Sequence, residues 1–180
     1  ENASRQEMYS AKLLSQYLTQ FFFIGIHVQN EPYTAEAPVI SIGETLLARQ
    51  NSLNGILPKY AYQLVVKDGN LFIRGGSPGP LNGVIAWLEE DLGCRWYAPP
   101  VTTPKGTEDA VTVIPKLDVK RFQVVPRFFE PPFEMRETLF MYGGKQDPEW
   151  ALLNRLAPIS YHTFLPEESG AGFNSDRKSV

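Results

Sequence analysis

Gly75-Gly76-Ser77-Pro78-Gly79-Pro80-Leu81-Asn82-Gly83-Val84-Ile85-Ala86-Trp87-Leu88-Glu89-Glu90-Asp91-Leu92-Gly93-Cys94-Arg95-Trp96-Tyr97-Ala98-Pro99 is the stretch that decides the fold class. Leu81, Val84, Ile85, Leu88 and Leu92 recur at helical spacing and so share one face, which predicts a helix over about 81–92. Gly93 stops it, because glycine takes the left-handed backbone that ends a helix. Arg95-Trp96-Tyr97 then reads as a short strand, and Ala98-Pro99-Pro100 breaks it. The loop in front is a strand-to-helix turn. A phosphate cradle there would need free backbone N–H groups, and Pro78 and Pro80 remove two of them. Neither G-x-x-x-x-G-K-[ST] nor G-x-G-x-x-G is present.

Upstream, residues 4–22 read as a helix. Ser4 followed by Glu7 forms a capping box, and Ala11, Leu14, Leu18 and Phe21 keep the helical period. Residues 23–28 read as a strand, 31–38 as a loop, Val39 to Ile42 as a short buried strand, and 44–50 as a short helix. Tyr60 to Lys67 and Leu71 to Arg74 flank Asp68-Gly69-Asn70, a hairpin signal. This order lacks the βαβαβ alternation of a doubly wound sheet. It implies an α+β layer, a mixed β-sheet with two long helices on one face.

Downstream the texture changes. Val111 to Ile114 is a short strand, and Pro126, Pro131 and Pro132 punctuate an extended connector. Phe133-Glu134-Met135-Arg136-Glu137 reads as a strand. Asp147-Pro148-Glu149 opens a helix to about Leu156, with Asp at the cap and Pro in the first turn. Residues 170–180 are rich in Gly, Ser and charge, the composition of a frayed end. The expected organisation is an α+β domain over 1–120, a Pro-rich connector over 121–132, and a further piece over 133–180.

Composition narrows the function. The chain has 180 residues, with 43% hydrophobic and 21% charged, which is a globular balance. Seventeen basic against twenty acidic side chains give a net charge of -3, so no basic face dominates and a nucleic-acid partner is not expected. Phe21-Phe22-Phe23-Ile24-Gly25-Ile26 is the densest apolar run and is far short of a membrane span. Cys94 alone gives no internal disulfide, and two histidines without H-E-x-x-H give no zinc site. No metal and no cofactor is expected. A chain that starts at Glu1, with neither Met nor an apolar leader, reads as processed or cut.

The block from Leu88-Glu89 through Leu92-Gly93 to Arg95-Trp96-Tyr97-Ala98-Pro99, behind its Gly75-Gly76 loop, resembles a signature of one family. It is similar to the N-terminal accessory domain of α-glucuronidase-like and β-N-acetylhexosaminidase-like glycoside hydrolases. Ala11, Leu14 to Leu18 and Ile40-Ser41-Ile42-Gly43 resemble that domain's first helix and strand. Pro126-Arg127-Phe128 and Phe133 to Glu137 resemble the link into the first strand of a catalytic (β/α)8 barrel, and Trp150 to Phe164 its opening segment. Two positions depart from the pattern: Pro78-Gly79 and Asn82-Gly83 stand where the family loop carries Arg-Gly and Tyr-Gly. The resemblance implies a hexosaminidase N-terminal, zincin-like topology followed by the start of a barrel, a carbohydrate partner, and a secreted or periplasmic location.

Glycoside hydrolysis needs two carboxylates about 5–10 Å apart. The resemblance places that pair later in the barrel, so no catalytic residue is assigned within this chain. A barrel needs about 250 residues, and fewer than 60 follow Arg121. Glu130, Glu134, Glu137 and Asp147 read as solvated or structural charge, although Glu137 shares its strand with the main candidate, Arg136. The resemblance gives Arg136, at a barrel strand end, the role of hydrogen-bonding sugar hydroxyls. Its alternative is an ion pair with Glu134 or Glu137. His162 is a second sugar-binding candidate, otherwise a surface or capping histidine. The candidate substrate-binding residues are therefore Arg136, His162 and Glu137. Cys94 reads as a buried thiol, and Trp87, Trp96 and Tyr97 as core aromatics that could alternatively stack on sugars. The functional expectation is a non-catalytic domain supporting a polysaccharide-degrading barrel. The alternative is a stand-alone carbohydrate-binding or interaction module, and the missing H-E-x-x-H argues against a third reading, a zincin-like protease.

Overall fold

The computed structural model describes residues 3–32, 38–76, 79–116, 124–132, 137–138 and 148–158. In chain order the elements are α1 (Arg5–Phe22), β1 (Ile40–Ile42), α2 (Leu46–Gln50), β2 (Tyr62–Lys67), β3 (Asn70–Gly75), α3 (Leu81–Ala86, continuing as a π-helical turn over Trp87–Asp91), β4 (Arg95–Ala98), β5 (Val101–Thr103), β6 (Gly106–Glu108), β7 (Val111–Val113), β8 (Arg127–Phe129), β9 (Glu137–Thr138), α4 (Pro148–Leu153) and β10 (Ala157–Pro158). The class is mixed α+β. Two units form, Glu1–Cys94 with Ile114–Glu134, and Arg95–Val113 with Met135–Val180.

In the first unit α1 begins where the capping box places it. The Glu7 N–H donates to Ser4 Oγ (3.2 Å), and the Ser4 N–H donates to Glu7 Oε2 (2.8 Å). Leu13, Leu14, Leu18 and Phe21 form its buried stripe. The helix ends at Phe23, in the left-handed region at φ 55°. The strand expected over 23–28 does not form. Ile26 is held against α1 instead, its carbonyl accepting from Ser15 Oγ (2.6 Å) and its N–H meeting Thr19 Oγ1 (3.4 Å). Both ladder groups of Ile26 are thereby bonded to α1, and Phe23 is 92% exposed.

The sheet runs β1-β3-β2-β8, with β1 parallel to β3 and the other pairs antiparallel. The β2–β3 hairpin turns at Asp68 (φ 50°) and Gly69 (φ 75°), as the Asp-Gly signal requires. Tyr62 and Leu64 share a face with Ile73, and α3 covers it, with α1 packed on α3 and β1. Gly83 permits that approach, since a Cβ there would lie 2.8 Å from Ile73 Cγ2 and 3.2 Å from Tyr62 Cβ. The second expected helix widens in its last turns: the Leu92 N–H reaches the Trp87 carbonyl and the Cys94 N–H the Leu88 carbonyl. Gly93 (φ 75°) then closes it. The Pro-rich stretch read as a connector contributes β8, a three-residue edge strand on β2.

In the second unit β4 pairs with β7 through a bulge between Trp96 and Ala98, and β5 pairs with β6. The hairpin Val101–Glu108 went unread because its strands are three residues long, although Pro104-Lys105-Gly106 marks the turn. The helix expected to open at Asp147-Pro148-Glu149 and run to about Leu156 is α4, which begins at Pro148 and stops earlier than expected, at Leu153. β9 and β10 pair in parallel. Among the described residues no helix is long and apolar enough to cross a membrane.

Candidate functional site

Three side-chain constellations stand out, two in the first unit and one in the second. The first sits on β8. Arg127 Nη2 donates to Asp91 Oδ2 at 2.5 Å, and its Nε lies 3.4 Å from Glu90 Oε2. The Val125 N–H adds a 3.3 Å bond to Asp91 Oδ1. Asp91 is buried by the widened turn of α3, with 4% of its side chain exposed, and Arg127 is mostly enclosed. Desolvation works against the Arg127 charge, but the hydrogen bond and charge of Asp91, with Glu90, outweigh it and raise its pKa. On the same sheet face Phe129 stacks on Tyr62, ring centroids 5.3 Å apart. Together these contacts moor an edge strand that three backbone pairings alone would hold weakly.

The second constellation lies on the opposite sheet face. Arg74 on β3 is 3% exposed. Its Nε and Nη2 both donate to Glu44 Oε1 (3.1 and 2.8 Å), and its Nη1 donates to Gln63 Oε1 (3.2 Å). The Gly55 carbonyl takes a further Nη2 bond. A charge this deep persists only because it is paired and its donors are used.

The third belongs to the second unit. The Trp96 carbonyl on β4 accepts from Trp150 Nε1 (3.0 Å) and from Asn154 Nδ2 (3.1 Å), which fastens α4 to the Arg-Trp-Tyr strand.

No family model, curated protein or solved structure matches this chain.

Of the expected sugar-binding residues, Arg136 and His162 lie outside the described residues. Glu137 opens β9, paired with Ala157, but its side chain is also outside them. Glu134 and Asp147 fall outside as well, and Glu130 is exposed just past β8. Cys94 is wholly buried and offers solvent no nucleophile. Trp87 and Trp96 are core, at 2% and 5% exposure, whereas Tyr97 stands exposed at the bulge of β4. Among the described residues no group of three or more His, Cys, Asp or Glu could hold a metal ion.

Sequence reading passed over Arg74, Asp91 and the role of Arg127. The signal for Arg74 was present: a lone charge inside Leu71-Phe72-Ile73-Arg74 falls where a buried strand needs a partner. Arg127 was visible only as part of Pro126-Arg127-Phe128, and its partner is 36 positions away.

Proposed function

We propose that this chain is the non-catalytic N-terminal accessory domain of a polysaccharide-degrading glycoside hydrolase, exported to the periplasm or the cell exterior. Its α+β unit would take the hexosaminidase N-terminal, zincin-like arrangement, and residues 133–180 would be the first strand and helix of a (β/α)8 barrel. The observation that carries this reading is the mooring of β8. The strand immediately before residue 133 is tied into the sheet by the Arg127–Asp91 pair and the Tyr62–Phe129 stack. A domain whose work is to hold the start of a barrel needs such a fixed point, because loose chain there would cost ordering entropy each time the barrel closed. Of the mooring residues, Arg127 belongs to Pro126-Arg127-Phe128 and Asp91 lies within the block from Leu88 to Pro99, two of the stretches that carry the family resemblance.

In this reading Arg136 and Glu137 stand at the first barrel strand and, with His162, contact the glycan in the complete enzyme. A guanidinium suits that role because its rigid donor fork meets paired hydroxyls. Bond cleavage belongs to carboxylates beyond this chain.

The second reading, a stand-alone carbohydrate-binding or interaction module, is favoured by Trp150. That side chain is half-buried and bonded to β4 rather than displayed for a missing partner.

The deciding experiment reads the gene beyond the codon for Val180 and assays both products. The first reading expects a continuing barrel with paired acidic strand ends, glycan hydrolysis by the whole protein, and none by the 180-residue chain alone. A stop codon after Val180 would leave the module reading. Turnover by the 180-residue chain would overturn both.

A further inference from the structure

Antiparallel register places Arg74 opposite Gln63 and Gln63 opposite Phe128, so these three side chains form one row across β3, β2 and β8. Directly opposite residues share a sheet face. The Tyr62–Phe129 stack lies on the other face, which confirms that Phe128 points to the side of Gln63 and Arg74. The row spans about 10 Å, two strand spacings, which is the length of a disaccharide. Glu44 closes its end through Arg74.

Phe128, Gln63 and Glu44 each keep an unused capacity among the described residues. Phe128 is 52% exposed, and its ring has no aromatic or cationic partner among the described residues. Gln63 spends its carbonyl oxygen on Arg74, so its amide N–H groups remain free among the described residues. Glu44 accepts both guanidinium bonds on Oε1, leaving Oε2 without a partner among the described residues, on a side chain 44% exposed. Arg74 is the positioning residue. Buried and bonded to Glu44, Gln63 and the Gly55 carbonyl, it holds the carboxylate and the carboxamide in place.

From this row we infer that the first unit carries a shallow saccharide-binding surface, with Phe128 as the stacking platform and Gln63 and Glu44 as hydrogen-bonding groups. The class of ligand is a neutral oligosaccharide. Pyranose rings offer an apolar C–H face to an aromatic ring and hydroxyls that both donate and accept, matching a carboxamide donor beside a carboxylate acceptor. An anionic ligand fits poorly, because Glu44 already meets the Arg74 charge and presents its own. The row uses none of the barrel candidates Arg136, His162 and Glu137. It would hold a polysaccharide against the accessory unit. Only the choice of a glycan as ligand leans on the functional reading above, and the geometry of the row does not.

The test is calorimetric titration of the full 180-residue chain with cellohexaose, xylohexaose, mannohexaose and laminarihexaose, with trigalacturonate as the anionic comparison. At least one neutral hexasaccharide is expected to bind with a Kd on the order of 1 mM or tighter, and trigalacturonate more weakly. Phe128→Ala should weaken binding roughly tenfold, while Phe128→Trp retains it. Gln63→Leu should weaken it comparably, and Val66→Ala, on the other face of β2, should leave it unchanged. The thermal midpoint is read for each variant, and the exposed Phe128 pair decides the matter if Gln63→Leu does not fold. No heat or chemical-shift change with any neutral hexasaccharide up to about 10 mM overturns the inference, as does Phe128→Ala binding like the wild type. The reading-frame result leaves this outcome untouched, so the two proposals fail separately.

Discussion

Replacing Arg127 by methionine isolates the mooring of β8. The stem packing is kept, since methionine is similar in length to the arginine methylenes, and the guanidinium is lost. Asp91 is then left almost wholly buried with one backbone donor, the Val125 N–H. Breaking a fully buried pair costs about 3–5 kcal/mol. Arg127 is partly open to water, with 19% of its side chain exposed, so the expected loss is nearer 2–3 kcal/mol. In urea that lowers the midpoint by roughly 1–2 M, followed by far-UV circular dichroism. Asp91→Asn should cost less, about 1–2 kcal/mol, because it removes the buried charge together with its partner's bond. The double variant should be little worse than Arg127→Met alone, a coupling of about 1–2 kcal/mol. The pH response follows from the raised pKa of Arg127. A cation whose pKa is raised by folding contributes stability below its unfolded value and loses it only as pH climbs through the folded value. The wild-type pair should therefore be insensitive to Arg127 ionisation from pH 6 to about 11, whereas Arg127→Lys should lose stability from about pH 10 upward. A midpoint for Arg127→Met within about 0.3 M of wild type, or simple additivity in the double variant, would refute the reasoning.

Three other perturbations follow from the geometry. Ser4→Ala removes the acceptor for the Glu7 N–H and should destabilise α1 by about 1 kcal/mol, read as a lower thermal midpoint. Gly83→Val drives a side chain into Ile73 and Tyr62, already 2.8 and 3.2 Å from an added Cβ; about 1–3 kcal/mol of overpacking should appear by urea titration. Trp150→Phe keeps an aromatic ring, though a smaller one, and loses the bond to the Trp96 carbonyl. With Asn154 still donating, the cost should be about 0.5–1.5 kcal/mol, measured by the exchange of amides in α4.

The elements legible in sequence are those whose stability is local. The capping box of α1, the Asp68-Gly69 hairpin and the stop at Gly93 each rest on contacts within a few residues. The stretch 23–28 misled for an instructive reason. Phe23-Ile24-Gly25-Ile26 has strand composition, but Ser15 and Thr19, polar positions on the preceding helix, capture the backbone of Ile26. Composition reports what a segment could bury, not which partner reaches its backbone first. β8 failed in the opposite direction. Prolines at 126, 131 and 132 read as connector, yet they bracket the strand and leave 127–129 free to pair. Proline at both margins of an edge strand is also a guard against pairing with another chain.

The two paired arginines show why site residues are harder to read than folds. Arg74 is joined to Glu44 across 30 positions and Arg127 to Asp91 across 36, so neither pair leaves a spacing to find. Each pairing exists only once the sheet order is set. Register puts Arg74 beside Gln63 and Arg127 opposite Leu64 of β2, within reach of the Asp91 that the widened turn of α3 presents. The turn itself follows from the C-terminal signal that sequence did reveal, since Gly93 lets the Cys94 N–H reach back to the Leu88 carbonyl. A local glycine thus sets the geometry of a distant ion pair. Substituting Gly93, at φ 75° with Pro115 Cγ 3.2 Å from an added Cβ, should disturb the Asp91 carboxylate through the turn that carries it. Gly93→Ala should therefore weaken the Arg127–Asp91 coupling as well as the helix end. If the double-variant coupling is unchanged in a Gly93→Ala background, the turn and the mooring are independent and this link in the argument fails.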